Sequence, residues 1–247
     1  MTLKELNIIN FKNIAEATLT FTSGFNCFVG NNGVGKTNVL DAIYHLSMCK
    51  SYFNLPDLQN IRHEEPFFVV QGKYERGGEE LTVYCGVKRG QKKVFKKNQK
   101  AYDKLSEHIG LIPLVMISPE DFILIDGGSE ERRKLVDGII SQCDRVYLHR
   151  LIRYNKALTQ RNMLLKSAAG KFLDPEMLEV WNEQLAEHGE AIRQKRIAFL
   201  KEFRSVFQTY YERLSLGREG PSIQMGGALG VLIGRLRGET RLRNNPA

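Results

Sequence analysis

Short apolar-rich stretches at residues 3–11 and 18–21, joined by an irregular connection, predict two strands at the start of the chain. A third strand is expected over residues 25–29, where Phe25, Cys27, Phe28 and Val29 run straight into a glycine-rich stretch. Beyond that stretch Val39, Leu40, Ile43 and Leu46 recur at helical spacing. Residues 67–72 and 81–87 read as strands around the turn Arg76-Gly77-Gly78-Glu79. From Ser129 the period becomes helical, with Leu135, Val136, Ile139 and Ile140 on one face. A second helix is expected over about 144–167, striped by Tyr147, Leu148, Leu151, Ile152, Leu158 and Leu165. A third begins at Asp174-Pro175, an N-cap followed by proline at the first helical position, and carries Trp181, Ile192, Phe199, Phe203 and Phe207. Uninterrupted to Leu214 it would be roughly 60 Å long at ~1.5 Å per residue. Two such helices in succession predict an antiparallel hairpin, and the Trp and Phe stripe reads as its core.

The stretch between the third expected strand and the first helix is Gly30-Asn31-Asn32-Gly33-Val34-Gly35-Lys36-Thr37, which matches G-x-x-x-x-G-K-[ST] at every fixed position and in the strand–helix context a P-loop requires. Glycines let the backbone turn its N–H groups inward at a helix N-terminus, where the dipole also favours negative charge. Lys36 would reach the β- and γ-phosphates of ATP, and the Thr37 hydroxyl would ligate Mg²⁺.

Composition narrows the class. Of 247 residues, 42% are hydrophobic and 26% charged, which is globular usage and excludes collagen-like or disordered chains. No apolar run approaches the ~18–20 residues of a membrane span, and the N-terminus lacks a signal-peptide pattern, so a soluble, cytoplasmic protein with no membrane association is expected. The four cysteines form no CxxC pair and are expected to be buried free thiols. A net charge of +8 points weakly to a polyanionic partner. It is concentrated at residues 88–100, where seven basic residues and no acidic one surround Phe95. This basic hairpin reads either as a surface that tracks a nucleic-acid backbone or as a lysine-protected sheet edge.

Two further segments bear on the chemistry. The apolar run 111–117 ends in Ser118-Pro119-Glu120-Asp121, but a proline there is out of place in a central strand, so the acids read as part of a turn rather than as a Walker B pair. After Leu216 the composition changes: residues 217–247 hold seven glycines and five arginines with no lysine and no aromatic, and a poorly ordered tail is expected.

Read together, these blocks resemble the RecF family of DNA replication and repair ATPases, relatives of the heads of structural-maintenance-of-chromosomes proteins. The resemblance covers about residues 1–215 and rests on Asn10-Phe11-Lys12-Asn13, on the P-loop continued through Asn38-Val39-Leu40-Asp41-Ala42-Ile43, and on Ser118-Pro119-Glu120-Asp121. It continues through Glu131-Arg132-Arg133-Lys134-Leu135-Val136-Asp137, residues 154–162 and Trp181-Asn182-Glu183-Gln184-Leu185-Ala186. The implied fold is α/β: a P-loop ABC-type ATPase head, here with an incomplete sheet, carrying an inserted helical lobe with a long antiparallel helical hairpin. The expected domains are a P-loop lobe with a β-rich subdomain over 1–110, a helical lobe over 111–216 and the tail over 217–247.

The resemblance implies an ATP- and Mg²⁺-dependent protein that binds single-stranded or gapped DNA, forms an ATP-dependent homodimer, and acts with RecO and RecR to help load the recombinase. Gly30 to Thr37 are the implied nucleotide-binding residues, and the Glu131-Arg132-Arg133 block is expected to make structural ion pairs. The family's ABC signature and Walker B acids have no counterpart in this sequence, so no catalytic residue is assigned. The chain is expected to be a truncated member lacking the C-terminal third, able to bind nucleotide weakly without hydrolysing it. A non-hydrolysing DNA-binding or adaptor fragment is the alternative. A P-loop small-molecule kinase fits poorly, because it would need a compact arginine-bearing lid in place of the paired helices.

Overall fold

A computed structural model describes residues 1–168, 175–216, 221–226 and 230–235. The chain divides into two compact units, Met1–Met116 and Ile117–Ala247.

The first unit is built on a six-stranded antiparallel sheet. Its strands are β1 (Thr2–Phe11), β2 (Ile14–Thr20), β3 (Phe67–Arg76), β4 (Glu79–Lys88), β5 (Val94–Lys97) and β6 (Lys100–Ala101), in the order β2-β1-β3-β4-β5-β6. Gly77 and Gly78, both at positive φ, close the tight β3–β4 hairpin as its two-residue turn demands. Every second residue of these strands faces one side. Register aligns Ile8 with Val70, Val70 with Cys85 and Cys85 with Phe95, a buried row across four strands. Helix α1 (Lys36–Met48) covers that row with Val39, Ala42 and Leu46. It approaches closely at Gly72, where a Cβ would lie 2.9 Å from Leu46 Cδ1.

The expected strand at residues 25–29 is not formed: Phe25 is fully exposed and Val29 nearly so. A strand needs a hydrogen-bonding neighbour, and the described sheet ends at β2, which pairs only with β1. Residues 111–117 form no strand either. Ser118 instead caps a 3₁₀ turn, Pro119–Phe122, with its backbone N–H donating to Asp121 Oδ2 at 2.7 Å. Among the cysteines, all free, Cys49 and Cys85 are buried as expected, whereas Cys27 and Cys143 are exposed.

The second unit is helical, with the single turn α2 (Ile123–Asp126) followed by α3 (Ser129–Cys143), α4 (Arg145–Ser167) and α5 (Pro175–Ser215). Asp144 caps α4 by accepting from the Tyr147 backbone N–H. The α3 N-cap is Gly128, and the expected Asp174 cap of α5 lies outside the described residues. Helices α4 and α5 run antiparallel, since Arg161 bonds Asn182 while Tyr147 meets Arg196. Val136, Ile140, Tyr147, Ile192 and Leu200 form the core, with Phe199, Phe203 and Phe207 packed against it. Within the tail expected over 217–247, residues 221–226 and 230–235 are described. Strands β7 (Pro221–Gly226) and β8 (Gly230–Arg235) pair as an antiparallel hairpin that packs on α3 and α5. Gly226 and Gly230 stand at the inner ends of the two strands and Gly234 lies within β8, which hides this short pair from a periodicity reading. The rest of the tail lies outside the described residues.

Candidate functional site

The glycine-rich loop turns at two glycines immediately before α1. Gly33 and Gly35 take φ of 82° and 105°, conformations that L side chains rarely adopt, and Lys36 opens α1 directly after them. The helix start has no side-chain cap and no acidic residue in its first turn, so its leading amides and dipole face the loop uncompensated. The Lys36 ammonium donates to the carbonyl oxygens of Gly30 (2.8 Å) and Asn31 (2.7 Å), which folds it across the loop. Thr37 follows as the second residue of the helix. Gly30, Asn31, Asn32, Gly33, Val34, Gly35, Lys36 and Thr37 are thus brought together in one loop and helix start.

The loop is held from outside by the β1–β2 turn. Asn13 donates from Nδ2 to the Gly33 carbonyl oxygen at 2.6 Å, and its Oδ1 accepts from Asn38 Nδ2 at 2.7 Å. One residue earlier, the Lys12 ammonium lies 2.6 Å from Asp41 Oδ2, while Asp41 also accepts from Ser51 Oγ and the Tyr52 backbone N–H. Asp41 is fully buried. It is one turn of helix from Thr37, yet its carboxylate is committed to Lys12 and the 51–52 segment.

Sequence reasoning gives Lys12, Asn13 and Asp41 no such roles. The available signal is an acid flanked by Leu40 and Ala42 on a helix whose neighbouring positions are apolar.

The basic hairpin serves several ends. Lys93 turns inward, 2.8 Å from Asp57 Oδ2, and donates to the Cys49 carbonyl oxygen at 2.7 Å. Phe95 is buried against Tyr102 and His108 and offers no stacking surface. Lys92, Lys97 and Lys100 are exposed, and Lys96 lies over the Tyr84 ring. Burial pulls the Asp57 carboxyl upward, but hydrogen bonds from His45 and Lys93 outweigh it and hold the group below its ordinary value. Burial pushes the Cys49 thiol up to about 12 against the opposing pull of Lys93, so it stays a thiol.

In the helical unit the Glu131-Arg132-Arg133 block is internal wiring. Arg132 donates to the carbonyl oxygens of Leu124 and Gly127, Arg133 to Ser129 Oγ, and Lys134 bridges Glu130 and Glu131.

A family model described as the AAA ATPase domain matches residues 1–209. The chain belongs to that family. Curated relatives are RecF proteins, described as DNA replication and repair protein RecF. That of Phocaeicola vulgatus is 55% identical over 220 residues, covering 89% of this chain and 59% of the relative. That of Flavobacterium johnsoniae is 50% identical over 226 residues, covering 91% and 62%. A solved structure of "the recombination mediator protein RecF-ATPrS in RecFOR pathway" superposes with a TM-score of 0.83 at 33% identity, covering 90% of this chain and 60% of that one. Its counterpart described as RecF-ATP gives 0.82 at 32% identity. The likeness to RecF read from the sequence is therefore shown, and the α/β head fold with it. The chain spans about three-fifths of the length of these relatives.

Proposed function

We propose that this chain is the N-terminal part of an ATP-dependent DNA-binding protein of recombinational repair and replication restart. The observation that carries the reading is the P-loop cradle: Gly33 and Gly35 at positive φ, Lys36 folded over the loop mouth, and an uncapped α1 start. The residues present fit ATP. Backbone amides of Gly33 to Thr37 would hold its phosphates, and Lys36 would exchange its two carbonyl partners for phosphate oxygens. Mg²⁺ fits through the Thr37 hydroxyl, with phosphate oxygens and water making up the rest of its shell; bound there, it supplies charge neutralisation at the phosphates.

Nucleotide binding without turnover goes with this reading, because the sequence offers no counterpart of the Walker B acids that would orient an attacking water. DNA with a single-stranded or gapped character, RecO and RecR, and an ATP-dependent second copy are the partners the reading assigns. A cytoplasmic location goes with them, and no helix among the described residues is long and apolar enough to cross a membrane.

Titration calorimetry with ATP and ADP in the presence of Mg²⁺, on this chain and on Lys36→Ala, tests the reading, run beside a hydrolysis assay. Binding that is lost in Lys36→Ala supports it. Absence of binding to the unaltered chain, or binding indifferent to Lys36, overturns it.

A further inference from the structure

Resting on the reading of the loop as an ATP site, we propose that Asn13 is a positioning residue that sets the direction of the P-loop amides. Its mount is rigid. Asn13 sits in the two-residue β1–β2 turn, where Phe11 pairs with Ile14, and the preceding Lys12 is fixed three ways. Lys12 takes φ of 54°, its N–H donates to the Asn60 carbonyl oxygen at 2.8 Å, and its ammonium is bound to buried Asp41. The turn is thereby clamped to the 3₁₀ segment Asp57–Asn60 and to α1, and Asn13 projects from it to a loop 20 residues later in the chain.

The amide of Asn13 does two jobs at once. Nδ2 donates to the Gly33 carbonyl oxygen, and Oδ1 accepts from Asn38 on the first turn of α1. In a trans peptide the C=O of one residue and the N–H of the next point in opposite directions. Drawing the Gly33 oxygen towards Asn13 therefore turns the Val34 N–H the other way, to the open side of the loop. At Gly33 the soft φ and ψ of glycine would otherwise let this peptide plane flip. Gly35 completes the fit: a Cβ there would lie 2.9 Å from Asn13 Oδ1 and 3.2 Å from Ile14 Cγ1. The turn and the loop are thus matched in shape as well as in hydrogen bonding, and the loop backbone at Gly33–Val34 is held in one orientation before a phosphate arrives, which lowers the ordering cost of binding.

Three variants of the full chain separate this role from others. Asn13→Asp keeps the acceptor for Asn38 and loses the donor to Gly33; Asn13→Ala loses both without adding charge; Asn38→Ala removes only the outer partner. Three readouts are needed: ATP affinity by calorimetry with Mg²⁺, thermal melting without nucleotide, and backbone amide order parameters of Val34 and Gly35 by NMR.

Asn13→Asp and Asn13→Ala should each weaken ATP binding about tenfold, the worth of one well-placed hydrogen bond. The order parameters should fall from the rigid range near ~0.85 towards ~0.6, with melting of the unit unchanged. Asn38→Ala should do less on both counts. Wild-type affinity and order parameters in both Asn13 variants overturn the proposal. So does weakening by Asn13→Asp alone, which would mark simple charge repulsion of phosphate. If the unaltered chain binds no ATP, the functional reading fails, and the order parameters alone decide whether Asn13 sets the loop.

Discussion

Lys93 Nζ and Asp57 Oδ2 lie 2.8 Å apart, an ion pair that takes one lysine out of a seven-residue basic cluster and gives it to the fold. The Lys93 side chain is only 14% exposed and also carries the Cys49 carbonyl oxygen at the end of α1. Lys93→Ala should therefore cost about 2 kcal/mol of stability by urea denaturation, since it strands a half-buried carboxylate and a carbonyl. Lys92→Ala and Lys97→Ala should stay within ~0.5 kcal/mol.

The same geometry divides the cluster in its proposed role in DNA binding. Replacing Lys92, Lys96 and Lys97 together by alanine should flatten the dependence of DNA affinity on salt, by up to ~0.9 in logarithmic slope for each phosphate that is no longer neutralised. An unaltered slope would assign these lysines to edge protection instead. Fluorescence anisotropy over a salt series reads the difference.

His108 makes the first unit sensitive to mild acid. The ring is buried, with Nε2 2.7 Å from the Leu46 carbonyl oxygen and Nδ1 3.1 Å from the Tyr102 hydroxyl. With Nε2–H donating to Leu46, Nδ1 is left to accept from Tyr102, which is the neutral tautomer. Burial lowers the pKa, Lys97 lowers it further, and the Leu46 carbonyl only partly opposes them. The folded state thus takes up its proton at lower pH than the unfolded chain, whose value is about 6.5. This contribution to stability is complete above about pH 6.5 and is lost as pH falls from there through the depressed folded value. Urea midpoints measured from pH 7.5 down to about 5 should drop for the unaltered chain and drop less steeply for His108→Gln.

Arg196 holds the helical unit together. Its guanidinium reaches both oxygens of Asp137, at 2.8 and 2.7 Å, while the Tyr147 hydroxyl donates to the same carboxylate. Arg196 is almost entirely buried. Arg196→Ala leaves Asp137 charged in an apolar setting and should destabilise the unit by about 3–5 kcal/mol. Arg196→Met with Asp137→Leu should recover much of that loss, and calorimetric melting of both variants checks it.

Regular elements with a clear period are legible in the sequence. Arg76-Gly77-Gly78-Glu79 announces the β3–β4 hairpin, and Pro175 with the aromatic stripe announces α5. The P-loop can be read to the residue because its chemistry fixes the spacing. What periodicity does not show depends on partners distant in the chain. Residues 25–29 have strand composition, but pairing is a property of the neighbour, and none of the described strands pairs with them. Lys93 is indistinguishable from Lys92 in sequence, and only the loop carrying Asp57 tells them apart. Asn13 and Asp41 look like an ordinary turn residue and an ordinary surface acid. Their roles come from tertiary hydrogen bonds spanning 10 to 25 positions.

Helix α1 is fastened at both ends, by Asn13 to Asn38 beside the phosphate loop and by Lys93 to the Cys49 carbonyl at its far end. Its 13 residues span about 20 Å at ~1.5 Å per residue. It therefore joins two distant parts of the first unit: the glycine-rich loop that Asn13 holds at one tip and the lysine hairpin that Lys93 anchors at the other are linked by one continuous helix.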